Sequence, residues 1–468
     1  MENSKLILLF ASFTTAELRA FKDFVASPYF NKNQELVRFY DYLKKQAPHF
    51  PPKKVERSYI WKKLYPGQQY DQKQLNYLMS FLLKLAEQFI GLRSYEQEEI
   101  LVHYHILEGY IQRKLDKNYQ HVYRKTEDFL DKAILADAPY YYNRYLLADI
   151  ANRYFLSKRV IKEDPTLNQA ATFFDHYYLA NKLRYCCEQL DRTKLLDASN
   201  TILLLEEIKG HLSTHDYQDY PPIAVYYQIL MMLLEPENDQ HFAQFQAMSS
   251  KHWHAFPKEE QKSIHAYALN YSIRKLNRGH VPALEALFQL YNQGIDQHLL
   301  IENQELSPWT YKNAIKIGLR LNKFDWVEQF IASNTELLAE RFRKNATHYN
   351  LAEWHYYKGE HGHAQQQLIQ VELNDLYYSL DSRRLLLKIY FETEEDEALW
   401  SLLASFRIFL KRNKLANEGT TNAYINFVDL LKKIVKRDPA LRASILEQIQ
   451  STIALPDRTW LQMQTQRY

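Results

Sequence analysis

Residues 351–364 read Leu-Ala-Glu-Trp-His-Tyr-Tyr-Lys-Gly-Glu-His-Gly-His-Ala. Leu351, Ala352 and His355 sit at helical spacing. Gly359 supplies a turn, because it adopts backbone angles that other residues avoid. Ala364 then places a small residue on a following helix, where two helices can touch. The segment is one helix, a tight turn and a second helix.

The pattern recurs on both sides. Ile317-Gly318 with Leu321 precedes it by 34 residues, and Leu386-Leu387 with Tyr390 follows it by 35. Asp325 and Phe330 stand in the first unit for Gly359 and Ala364; Glu394 and Leu399 stand for them in the third. A fixed period of this length is the mark of a repeat array.

This period, with a turn glycine and a small residue at the helix contact, resembles the tetratricopeptide repeat. His355 stands where that family prefers Tyr, and Leu368 where it has Phe. The likeness covers residues 311–412, and other α-solenoids share the period. It implies stacked antiparallel helix pairs forming a right-handed α-solenoid with a concave surface for a peptide or partner protein. The side chains it implies as partner-facing are Lys312, Ile315 and Leu319, then Tyr349, Glu353 and Tyr356, then Asp381, Arg384 and Lys388. Of these, Lys312, Tyr349, Glu353, Tyr356, Arg384 and Lys388 are the candidate partner-binding residues. Ser27-Pro28-Tyr29-Phe30-Asn31 with Phe21 and Phe24 also resembles the opening of a bacterial family of uncharacterised helical proteins, which implies no function.

Composition extends the helical reading to the whole chain. There are 10 glycines in 468 residues, and 65 Leu against 12 Val. Sheets need β-branched residues and turn glycines; Leu, Glu, Lys, Gln and Arg favour helix. The fold class is all-α. Three regions are expected: a mildly basic N-terminal four-helix unit (1–95), an array of helical pairs (96–306), and a tetratricopeptide-like array with capping helices (307–468).

Local signals place individual helices. Thr14-Thr15-Ala16-Glu17 has capping-box spacing, and Ser27-Pro28 ends the helix that starts there. Further helices are expected at about 33–45, 55–64 and 71–95, the last burying Leu75, Leu78, Met79, Leu82, Leu85 and Phe89. Asp164-Pro165, Ser307-Pro308 and Asp438-Pro439 each set a capping side chain before a first-turn proline. Lys5 and the apolar run 6–10 read as the start of a helix and not as a leader. Tyr220–Leu234 is too short to cross a bilayer and reads as a buried helix. A cytoplasmic location without membrane contact is expected.

Little points to catalysis. The glycines never cluster as phosphate-cradling loops require, so no nucleotide cofactor is expected. Cys186 and Cys187 are adjacent and read as buried thiols. His103/His105, His252/His254 and His361/His363 are two apart, which on a helix turns the rings away from each other. His211 and His215 can share a face but lack further ligands. No metal site and no catalytic residue are expected. The leading reading is a non-catalytic protein-interaction scaffold. The alternative is nucleic-acid binding: residues 1–95 carry 15 Lys and Arg against 8 Asp and Glu. Tyr123-Arg124, Arg144-Tyr145, Arg153-Tyr154 and Arg184-Tyr185 set aromatic rings beside cations, as strand-binding surfaces do. Helix packing by tyrosine is the competing account of the Tyr140-Tyr141-Tyr142, Tyr226-Tyr227, Tyr356-Tyr357 and Tyr377-Tyr378 runs.

Overall fold

A computed structural model of the chain describes residues 2–158, 164–196, 202–372, 376–412 and 418–467; the side chains of 193–196, 376, 377 and 418, Tyr377 among them, lie outside the description. The described chain is almost entirely helix. It divides into two compact units, Met1–Lys182 and Leu183–Tyr468.

The first unit holds α1 (Lys5–Ser12), α2 (Thr15–Ala26), α3 (Gln34–Lys44), α4 (Arg57–Leu64), α5 (Gln72–Gln97), α6 (Glu99–Arg113), α7 (Asp116–Asp131), α8 (Ala138–Ser157) and the start of α9 (Pro165–Leu196). The expected capping box is present: Glu17 N–H donates to Thr14 Oγ1, and Thr14 N–H donates to the Glu17 carboxylate. Asp71 caps α5 by accepting from the Lys73 and Gln74 N–H groups. Leu75, Leu78, Leu82, Leu85 and Phe89 are buried as their spacing predicts, and Met79 is half-buried. The apolar start forms α1, so residues 1–95 contain five helices, not four. Their shared core centres on Phe21, whose ring lies 5.5 Å from Phe10, 4.8 Å from Tyr40 and 5.3 Å from Phe89. Tyr40 keeps its hydroxyl satisfied by donating to the Leu18 carbonyl at 2.6 Å.

The second unit holds the end of α9, then α10 (Leu205–Thr214), α11 (Pro221–Leu234), α12 (Asp239–His252), α13 (Lys258–Asn277) and α14 (Ala283–Asp296). A two-residue hairpin pairs β1 (Ile301–Glu302) with β2 (Glu305–Leu306). There follow α15 (Pro308–Arg320), α16 (Phe324–Asn334), α17 (Glu340–Tyr357), α18 (His361–Ile369), α19 (Leu376–Glu392), α20 (Asp396–Arg412), α21 (Glu418–Ile434), α22 (Arg442–Ser451) and α23 (Arg458–Gln466). Neighbours in sequence pack together: α15 on α16, α17 on α18, α19 on α20. Among alternate helices, α17 touches both α15 and α19. The apolar stretch forms α11, buried along most of its length, and no helix among the described residues is long and apolar enough to cross a membrane. Cys186 and Cys187 are buried thiols, not a disulfide.

One device closes the first helix of each pair. Lys323 N–H reaches the Gly318 carbonyl, Glu360 N–H reaches His355, and Glu395 N–H reaches Tyr390, at 2.9–3.0 Å. The residue before each donor is left-handed: Asn322 (φ +57°), Gly359 (φ +77°) and Glu394 (φ +58°). This is a Schellman closure. It corrects the register read from the sequence, which pairs Leu321 with His355 and Asp325 with Gly359. In the first hairpin the turn comes three residues earlier, and Asp325 lies inside α16. Gly318 then falls opposite Val327: a β-carbon there would stand 2.8 Å from Val327 Cγ2. The same two places hold His355 with Ala364 and Tyr390 with Leu399, so bulk and smallness change helices between pairs.

The left-handed position also explains the scarcity of glycine. Lys114, His298, Asn322 and Glu394 adopt it despite their side chains, which costs roughly 1–2 kcal/mol each. Glu394→Gly is therefore expected to stabilise the second unit by about 1 kcal/mol, since the exposed Arg437 ion pair it removes is worth little. Gly359→Ala is expected to destabilise it by a similar amount. Urea midpoints of the two variants, moving in opposite directions, check the pair.

Candidate functional site

The six candidate residues converge, but not as an exposed face. Helical spacing aligns Lys312 and Lys316 on α15, Tyr349, Glu353 and Tyr356 on α17, and Asp381, Arg384, Lys388 and Glu392 on α19. With α17 between its two neighbours, the three stripes meet edge to edge. Tyr424 of α21, Asp457 before α23 and Trp460 of α23 reach the same stripes, and the result is a covered ionic network.

Arg384 is its hub. The guanidinium pairs with Asp457, lies 3.3 Å from a Glu353 oxygen and 3.4 Å from Asp381 Oδ1, and donates to the Tyr349 hydroxyl at 3.3 Å. Tyr349 in turn donates to Glu353. Asp381 accepts from Lys312 at 2.8 Å and from the Tyr424 hydroxyl at 2.6 Å. Lys388 stands 3.6 Å from Asp457 and 4.6 Å from the Tyr356 ring centre. Lys316 stands 4.0 Å from Glu353. At one end Glu392 accepts from Tyr356 at 2.7 Å and from the Trp460 indole at 2.5 Å. Four cations thus face Glu353, Asp381 and Asp457, while Glu392 is held by the Tyr356 hydroxyl and the Trp460 indole. Burial without such pairing would be prohibitive for any of them.

The charges shift accordingly. Burial alone would raise the Asp381 carboxyl, but Lys316, Arg384 and Lys312 hold it well below the usual carboxylate range. Asp457, also opposed by burial, is drawn down to about 2 by Arg384, Lys388 and Lys316. Burial lowers the Lys312 ammonium, with Asp381 working against it. Burial raises the Tyr349 and Tyr424 hydroxyls far out of the titrating range, so both remain donors. Asp381 and Asp457 are thereby held as charges, and Tyr349 and Tyr424 as hydroxyl donors.

The expectation of exposure fails for most of the set. Ile315, Leu319, Tyr349, Glu353, Asp381, Arg384 and Lys388 are buried, while Lys312 and Tyr356 are half-buried. Spacing of three and four marks a helix face, but a face covered by charge-matched neighbours has the same spacing as a wet one. Lys316, Glu392, Tyr424, Asp457 and Trp460 went unnoticed. Lys316, four residues after Lys312, and Glu392, continuing the Asp381–Arg384–Lys388 stripe, carry a local signal; nothing local ties residue 457 to residue 384.

Other expectations meet the structure as follows. Tyr226 is buried beside the half-buried Tyr227, as packing of a doublet requires. Arg144 and Arg153 lie over Tyr140 and Tyr104, not over their sequence neighbours, and each also pairs with an acid. Histidines two apart do diverge: His103 contacts Thr126 while His105 faces Glu108, and His361 faces Glu392 while His363 faces Glu360. His211 and His215 do share a face, their rings stacked at 4.2 Å.

No family model matches the chain, and no curated protein or solved structure matches it.

Proposed function

We propose that the chain is a non-catalytic protein-interaction scaffold of the bacterial cytoplasm, its second unit a right-handed tetratricopeptide-like α-solenoid that binds a peptide or partner protein. The observation that carries this reading is the arrangement of α15–α20: three helix pairs, each first helix ended by the same backbone closure, with α17 flanked by α15 and α19. Stacking of each pair on the next is how repeat arrays build extended surfaces. The buried ionic network fits the role of a register lock. Contact with a partner falls instead to side chains beside it. Trp309 is 49% exposed and Tyr357 38%, and the Lys312 ammonium lies 4.7 Å from the Trp309 ring centre. Exposed aromatics next to cations are the residue types that anchor protein interfaces.

Affinity capture with the full chain, read by mass spectrometry, tests the reading. A partner is expected to be retained by the parent and reduced at least about tenfold by Trp309→Ala with Tyr357→Ala, a loss of roughly 1.4 kcal/mol or more. Circular dichroism of the variant should match the parent. Recovery of no partner above background overturns the proposal.

A further inference from the structure

The closure of α17 brings together three metal-ligating side chains that the ionic network does not use. His355 lies in the last turn of α17, Glu360 directly precedes α18, and His363 lies in the first turn of α18. The sharp reversal at Gly359 folds these three onto one another. Glu360 Oε2 lies 2.7 Å from His355 Nδ1 and 3.8 Å from His363 Nδ1. One ligand atom from each residue falls within 4.8 Å of the other two, and the imidazole centres are 5.3 Å apart.

We propose that His355, Glu360 and His363 form a site for a divalent transition metal, best suited to Zn²⁺. Zinc bonds of about 2.0–2.2 Å to nitrogen and carboxylate oxygen, disposed tetrahedrally, set ligand atoms roughly 3.3–3.5 Å apart. The two measured gaps bracket that value, so the first opens by about 0.6–0.8 Å and the second closes by about 0.3–0.5 Å, within the reach of side-chain rotation. Two imidazoles with one carboxylate favour zinc and its neighbours over calcium or magnesium, which prefer all-oxygen shells. The outer contacts also fit. The Lys358 ammonium lies 3.2 Å from Glu360 Oε1 and 4.1 Å from the Trp354 ring centre. It therefore occupies one carboxylate oxygen and leaves Oε2 turned toward the histidines, the kind of outer support that orients ligands. His361, between two of the ligands in sequence, is directed instead toward Glu392 at 3.6 Å.

His363 has a side chain 65% exposed, so the ion has a route in and keeps water in its remaining position. In the metal-free chain the His355–Glu360 contact is a hydrogen bond. On binding, the Nδ1 proton of His355 leaves to solvent while Nε2 takes one up from solvent, so the ring stays neutral and coordinates through Nδ1 with no net change in protons. An imidazole ligates only when neutral, so affinity falls as the histidines protonate. The ion would clip the end of α17 to the start of α18.

Titration of the full chain with ZnCl₂ by calorimetry, paired with the visible spectrum of the Co²⁺-loaded protein, tests the site. One high-affinity Zn²⁺ per chain and a tetrahedral Co²⁺ absorption band are expected. His363→Ala and Glu360→Gln are each expected to weaken binding by roughly 100-fold and remove the band. His363 is exposed, so its variant should keep the parent's circular dichroism. His211→Ala with His215→Ala, which alters the stacked pair elsewhere, should change neither readout. Absence of stoichiometric binding, or binding and a spectrum unchanged in His363→Ala and Glu360→Gln, overturns the proposal.

Discussion

Arg384→Met is expected to destabilise the second unit by about 3–5 kcal/mol, the usual cost of removing one partner from a buried ionic group. Methionine keeps much of the apolar stem and deletes the charge. Glu353, Asp381 and Asp457 then lose their shared cation, and the Tyr349 hydroxyl loses a donor. Lys312, Lys316 and Lys388 remain, but each stands within 4.0 Å of only one of these acids, and Lys316 acts on Asp381 and Asp457 from further off. Arg384→Lys restores the charge without the planar fork and should recover part of the loss, because one ammonium cannot serve three carboxylates at separate angles. The measurement is the urea midpoint of parent and both variants. A change below about 1 kcal/mol in Arg384→Met would show that the network is solvated, in the manner of a surface ion pair.

The same network marks where reading the sequence stops. Thr14 and Ser307 are legible as caps because the chemistry involved spans only three residues. The buried face of α5 is legible because leucines at helical spacing have few alternatives. The stripe from Asp381 to Glu392 is legible as a face, but whether it is wet depends on Tyr424, Asp457 and Trp460, which lie 32 to 79 residues further on. Pairing across that separation leaves no periodic trace. The hairpin register failed for another reason. Asn322 takes the left-handed position without being glycine, so a search for Gly slides the first turn by three residues. His355, Glu360 and His363 escape notice because a turn interrupts them. Only their backbone path, not any helical period, makes five- and three-residue separations converge.

His265 supplies the second large effect, expressed through pH. It lies on α13, 3% exposed, and burial lowers its pKa to about 4 from 6.5, opposed only by the hydrogen bond to the Leu290 backbone. Its Nε2 has no hydrogen-bond partner. A β-carbon on Gly294 of α14 would stand 2.6 Å from that nitrogen, so the ring occupies space that only glycine leaves open. The ring also lines a cavity of about 140 Å³ with Ser249 and Trp253. The folded chain therefore holds His265 neutral, while the unfolded chain protonates it below pH 6.5. Its contribution is fully present above pH 6.5 and is lost as pH falls toward 4. One pKa unit corresponds to 1.36 kcal/mol, so the loss approaches about 3 kcal/mol. His265→Gln retains an amide donor for the Leu290 carbonyl and cannot titrate in this window. Its stability should fall less steeply than the parent's between pH 7 and 4, and the difference between the two curves isolates the residue. Asp457 does not blur the window: its carboxyl, held at about 2, releases its stabilisation mainly between pH 4 and 2. Parallel parent and His265→Gln curves from pH 7 to 4 would mean that water reaches the ring and that the packing against Gly294 is looser than these distances require.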